Sequence, residues 1–134
     1  MTRIKDIIRE LEHVAPTAYQ EAYDNSGLLV GDAQETVKGV LITLDVTEDV
    51  INEAVQRSCN LVIAHHPIIF TGLKSLTGKN YVERTVLAAI KNDIAIYAIH
   101  TNLDNVHLGV NKKISDRIGL LNTSVLSPKS NQLS

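Results

Sequence analysis

Leu61-Val62-Ile63-Ala64-His65-His66-Pro67 decides how this chain is read. Its first four residues form a short, unbroken apolar run rich in β-branched side chains, the pattern of a strand buried on both faces. Two imidazoles and a proline follow at once. A second stretch repeats the design, with Ile94-Ala95-Ile96-Tyr97-Ala98-Ile99 leading into His100-Thr101-Asn102-Leu103-Asp104. In open α/β sheets, ligands and metals collect where parallel strands end at their carboxyl edge. Two strands that end in imidazoles and a carboxylate therefore point to an α/β fold with a metal-competent edge.

The flanking sequence supplies the helices that such a sheet needs. Ile4, Ile7, Ile8 and Leu11 recur at helical spacing, with Thr2 as the expected cap and Pro16 as the stop. Residues 18–23 suggest a helical turn. Asp24-Asn25-Ser26-Gly27 is turn chemistry, and Leu28-Leu29-Val30 reads as a strand closed by Gly31. Residues 40–44 form the next strand, ending at Asp45. Thr47 can cap a helix carrying Val50, Ile51, Ala54 and Val55, with Glu48 and Asp49 favoured in its first turn by the helix dipole. Residues 82–90 read as a helix before the strand at 94–99. Val110, Ile114 and Ile118 mark a last helix ended by Gly119. The alternation of strands and helices predicts an α/β domain over residues 1–121, a mainly parallel sheet with helices on both faces. Residues 122–134 are polar, contain Pro128 and read as a linker-like tail.

The bulk properties exclude several classes of function. The 134 residues suffice for one core, and 44% hydrophobic with 21% charged residues is ordinary for a globular domain. A net charge of −2 offers no electrostatic case for nucleic acid or an anionic membrane. No apolar run approaches the roughly 20 residues that a membrane helix needs. The first residues carry no apolar signal region, so a cytoplasmic protein is the expectation. Cys59, the only cysteine, allows no internal disulfide and is expected as a small buried filler.

Successive residues on an extended strand point to opposite faces, which places His65 and His66 poorly for a shared ion but suits two neighbouring ions. Pro67 keeps this exit extended. Two hydrogen-bonded or solvated strand-end histidines are the plain alternative. Asp104 at a neighbouring strand end strengthens the metal reading. Asp45 could orient a ligating histidine or cap the helix that follows. His100 could support a ligand, act as an acid or base, or be simply a polar strand-end residue. Asn25 could line a pocket or belong only to its turn. His13 and His107 read as solvated, although His107 is close enough to Asp104 to serve as an alternative ligand. No phosphate loop and no nucleophile–histidine arrangement can be argued from spacing.

Several blocks, in order along nearly the whole chain, resemble the GTP cyclohydrolase 1 type 2 homolog family, the Nif-three-like proteins with a dinuclear metal centre. They are Asp24-Asn25-Ser26-Gly27-Leu28-Leu29-Val30-Gly31, Leu44-Asp45-Val46-Thr47, His65-His66-Pro67-Ile68-Ile69-Phe70, Lys74-Ser75-Leu76-Thr77-Gly78, Lys91-Asn92-Asp93-Ile94-Ala95-Ile96-Tyr97 and His100-Thr101-Asn102-Leu103-Asp104 with Gly109-Val110-Asn111. The resemblance implies the N-terminal half of the Nif-three-like fold. It also implies metal ligands at His65, His66 and Asp104, with the adjacent histidines on different ions of a pair.

Family members are about twice this length or more, and a second half returns a His and a Glu to the site. No His follows His107 here and no Glu follows Glu83. The expectation is a fragment or truncated product that binds one ion or none, against two per full-length subunit, with zinc, iron or manganese as the metal. For the full-length protein the resemblance implies a homohexameric ring and a metal-dependent hydrolase acting on a nucleotide or other ring or amide substrate. A non-catalytic metal-handling or ring-shaped regulatory scaffold is the alternative.

Overall fold

The computed structural model describes residues 1–128. Its elements run α1 (Ile4–Val14), a short 3-10 turn (Thr17–Tyr19), β1 (Gly27–Val30), β2 (Val40–Thr43), α2 (Glu48–Gln56), β3 (Leu61–Ala64), α3 (Tyr81–Lys91), β4 (Ala95–Ala98), α4 (Thr101–Asp104) and α5 (Val110–Arg117). The four strands form one sheet in the order β1-β4-β3-β2. β2, β3 and β4 are parallel, and β1 lies antiparallel against β4. The sheet is thus mainly parallel, as the alternation of elements requires.

Burial explains the continuous apolar strands. Every residue of β3 and β4 is buried. Val62, Ala64 and Ile96 face α2 and α3, meeting Ile51, Ala54, Val86 and Ala89. Leu61, Ile63, Ala95 and Tyr97 face the other way, onto Ile4, Ile7, Ile8 and Leu11 of α1. Helices therefore cover both faces. Fully burying one such aliphatic side chain contributes about 1.5–3 kcal/mol, so the two strands that end at the histidines are also the most strongly held.

Helix ends follow local chemistry. Thr47 caps α2 by accepting the Val50 N–H, and Asn80 caps α3 by accepting that of Glu83. The expected cap at Thr2 is corrected. Arg3 is the N-cap of α1, and its own N–H donates to Asp6 at 2.8 Å. The N–H groups of Ile4 and Lys5 go to the carbonyls of Glu35 and Ala33, which leaves Thr2 no donor to cap. Gly31 ends β1 with φ +100°, and a Cβ there would lie 2.7 Å from the Ala95 backbone, so only glycine permits this approach of β1 to β4. Cys59, expected to be buried, is half-buried beside Gly39.

Residues 122–128 carry no helix or strand and are exposed. They include Pro128. The remainder of the linker-like tail, 129–134, lies outside the described residues. Among the described residues no helix is long and apolar enough to cross a membrane.

Candidate metal centre

The parallel register sets Thr43, Ala64 and Ala98 side by side at the carboxyl edge. His65 and His66 leave β3 there, His100 follows β4 and caps α4, and Asp45 follows β2. One edge of one sheet thus gathers residues separated by up to 59 positions in sequence (45 to 104).

Three imidazoles, from His65, His66 and His100, converge so that one ring nitrogen of each lies within 4.8 Å of the others. Ring centroids stand 5.0 Å apart for His65 and His66, 5.2 Å for His65 and His100, and 5.6 Å for His66 and His100. The expected placement of His65 and His66 on opposite faces is corrected. β3 ends at Ala64, and His65 and His66 occupy a bend, where strand alternation no longer applies. The bend brings both rings into one space.

Each ring is held from outside by its Nδ1. His65 Nδ1 meets the Ile99 carbonyl at 2.9 Å, His66 Nδ1 meets Asp45 Oδ1 at 2.7 Å, and His100 Nδ1 meets Asp24 Oδ1 at 2.9 Å. A carbonyl or an ionised carboxylate can only accept. In the neutral ring each Nδ1 therefore carries the proton, which leaves the lone pair on Nε2. This is the arrangement in which histidine binds metal, with the outer partner fixing tautomer and ring orientation.

Asp45 thus orients His66, while the capping role its position also allowed belongs to Thr47. Asp104, the last residue of α4, places Oδ1 3.8 Å from His65 Nε2. That is too long for a hydrogen bond. It is close to the separation of two ligands on one ion, about 3.3 Å when metal–ligand bonds are near 2 Å. Asn25 stands apart from this cluster: its Nδ2 donates to the Ile69 carbonyl at 2.6 Å, clipping down the loop that follows His66-Pro67. His13 and His107 are exposed. His107 and Asp104 line a cleft of about 390 Å³ with α5 and residues 123–127.

Sequence reasoning missed Asp24, which lay inside an apparent turn. Its side chain is wholly buried. Burial alone would raise its pKa, but hydrogen bonds from Thr101, His100 and the backbone N–H groups of Asn25 and Thr101 outweigh that and hold the carboxyl well below the usual range. The reason lies in the register of β1, which the sequence does not show. Gly27 pairs with Ala98 and Leu28 with Tyr97, so the chain before Gly27 runs back past His100 and Thr101. Asn102, also fully buried, accepts the His100 N–H and donates to the Ala15 carbonyl, fixing the start of α4.

The donor set fits a divalent transition metal. Three neutral imidazole nitrogens with a carboxylate beside them suit zinc, iron, manganese, nickel or cobalt to differing degrees. The ring nitrogens would draw in from their present spacing. Among the described residues no other group of three or more His, Cys, Asp or Glu has this convergence.

Comparison with known proteins identifies the family and the fold. The profile of the Duf34/NIF3 (NGG1p interacting factor 3) family matches residues 2–134. A GTP cyclohydrolase 1 type 2 homolog of Clostridium acetobutylicum is 37% identical over 125 residues, covering 93% of this chain and 47% of that protein. A crystal structure of a Bacillus cereus protein related to NIF3 superposes with a TM-score of 0.91 at 42% identity, over 96% of this chain and 36% of that one. A Staphylococcus aureus protein superposes with a TM-score of 0.89 at 40% identity, over 96% and 41%. The chain spans about half the length, or less, of the relatives it matches. On the family match and on these relatives, the chain belongs to the Duf34/NIF3 family.

Proposed function

We propose that this chain supplies the imidazole side of a metal-dependent hydrolase site. The observation that carries the reading is the convergence of His65, His66 and His100, each with Nδ1 engaged outward. His65, His66 and Asp104 are the assigned ligands, and His100 stands within reach of the same space. A divalent ion there would supply Lewis acidity, polarising the bond under attack and acidifying a water molecule. Asp45 and Asp24 keep the rings aimed, and the Ile99 carbonyl does the same for His65. Asn25 steadies the loop beyond.

The names of the relatives support a nucleotide, or another ring or amide compound, as substrate. In the full-length protein, two ions per subunit, a homohexameric assembly and a cytoplasmic location complete the reading. The decisive experiment is elemental analysis of protein purified without added metal, followed by turnover over a nucleotide panel with and without zinc, iron and manganese. Metal-dependent ring opening or hydrolysis is expected of the full-length protein. Tight metal binding with no turnover on any substrate would move the protein to metal handling or scaffolding. A metal-free protein with unchanged turnover would overturn the site itself.

A further inference from the structure

The strand β2 is left open in two ways. It lies at the edge of the sheet. The carbonyls of Gly39 and Thr43 point inward and accept the N–H groups of Leu61 and His65. Val40 and Ile42 therefore turn their own N–H and C=O outward, where among the described residues no strand pairs with them. The second opening is on the face. Val40 and Ile42 stand level with Leu61 and Ile63, so their side chains share the α1 face of the sheet. α1 covers β3 and β4 but leaves β2 bare: Val40 is 37%, Ile42 78% and Leu44 59% exposed.

Natural proteins protect such an edge with lysines, prolines, bulges or a covering segment. Here the strand Val40-Leu41-Ile42-Thr43 contains none of the protective residues, and charge appears only outside it, at Lys38 and Asp45. We propose that the open edge of β2 is an interface between two copies of this chain, paired antiparallel about a two-fold axis near Ile42.

Symmetry and charge select this occupant. A two-fold axis perpendicular to the sheet keeps each apolar stripe on the same face. It sets Ile42 against its own counterpart, where both outward N–H and C=O groups can pair, and brings the Val40 side chain beside the partner's exposed Leu44, whose own carbonyl turns inward to accept the His66 N–H. Directly opposed apolar pairs are the unit of sheet stabilisation. The antiparallel direction also brings the basic end of one strand, at Lys38, beside the acidic end of the other, at Asp45. A parallel direction would oppose like charges. The outward N–H and C=O groups then close a ladder, and the two four-stranded sheets become continuous. The area is modest. One strand edge and a short stripe fall below the about 1,200 Å² that stable interfaces bury, so the pair is weak and depends on concentration.

Sedimentation velocity on this chain tests the proposal, from low micromolar to near-millimolar concentration. A monomer–dimer shift is expected. Ile42→Lys, at an exposed position, should abolish it by placing two charges at the axis. Ile42→Pro should abolish it too, because it removes an outward N–H that no intrachain ladder uses. Ile114→Lys, on the exposed face of α5, should leave it intact. Circular dichroism should show all three variants folded. A monomer at every concentration would overturn the proposal. A dimer lost in Ile114→Lys but kept in the Ile42 variants would overturn it in favour of α5. A dimer lost in Ile42→Lys but kept in Ile42→Pro would replace strand pairing with face-to-face packing.

Discussion

Two aspartates hold two histidines by the same bond in opposite settings. Asp24 meets His100 at 2.9 Å from a wholly buried position and takes five hydrogen bonds, from His100, Asn25, Ser26 and twice from Thr101. Asp45 meets His66 at 2.7 Å but is 63% exposed. One is part of the architecture that joins β1, β4 and α4. The other stands in water and touches little besides its histidine. A histidine brace can thus be built into the fold or laid over it. The two sides of the centre should therefore fail differently when disturbed, with stability lost on the Asp24 side and ligand geometry alone lost on the Asp45 side.

Removing Asp24 is the most severe way to break that contrast. Asp24→Ala would leave the Thr101 N–H, the Thr101 hydroxyl and the Asn25 N–H without their acceptor. Hydrogen bonds to a charged group are worth about 1.5–3 kcal/mol, and buried donors without partners add to the loss. The expected destabilisation is about 3 kcal/mol, read from the urea midpoint of metal-free protein. A variant as stable as the parent would show that the buried carboxylate is dispensable to the fold.

Acid unfolding sharpens the same point. The folded Asp24 carboxyl binds a proton less readily than an unfolded one, because Thr101, His100 and backbone donors outweigh the opposing effect of burial. The unfolded state therefore binds more protons, and the stabilisation is complete above the ordinary carboxylate value of about 3.9. It is lost as the pH falls below that toward the depressed folded value. Glu83 has the same sign: the Thr77 N–H lowers its pKa first, burial opposes, and Lys79 and the Thr77 hydroxyl assist. Asp24→Asn should flatten the acid limb of stability against pH. An unchanged limb in Asp24→Asn would mean that its carboxyl titrates normally in the folded state.

The clip made by Asn25 falls between the two extremes. It is half-buried, and one bond from its Nδ2 to the Ile69 carbonyl ties the turn before β1 to the loop after His66. Asn25→Ala should cost about 1 kcal/mol and raise the mobility of the His66 loop, seen as faster amide exchange at residues 68–70. Unchanged exchange would remove Asn25 from the support of the site.

What the sequence made legible follows the same division. β3 and β4 were readable because buried parallel strands must be apolar at every position, and Leu61–Ala64 and Ala95–Ala98 are. The edge position of His65, His66 and Asp104 followed from those strands. The antiparallel direction of β1 was not readable, since Leu28-Leu29-Val30 is equally apolar in either direction. With that direction hidden, so was the meeting of Asp24 with His100, 76 residues away. α4 is too short, at four residues, to show a helical period. Strand alternation did not extend to His65 and His66, because both lie in a bend past the last β3–β4 pair at Ala64 and send their N–H groups to the same side, to Thr43 and Leu44.

The smallest expected effect on stability belongs to Asp45, and it is the cleanest test of the contrast. Asp45→Ala removes an exposed side chain whose hydrogen bond goes to His66. Exposed substitutions of this kind usually stay within about 0.5 kcal/mol, so the urea midpoint should barely move. Metal binding should respond far more. Without the carboxylate, neither the tautomer nor the orientation of His66 is fixed, and loss of such an outer partner typically weakens metal affinity about 10–100-fold. His66→Ala should weaken it further, because the ligand itself is gone, with equally little effect on stability. Zinc and manganese titrations of the parent, Asp45→Ala and His66→Ala, beside their urea curves, separate the two quantities. Equal affinity in Asp45→Ala and the parent would show that His66 needs no brace or does not bind metal, and His66→Ala decides between them.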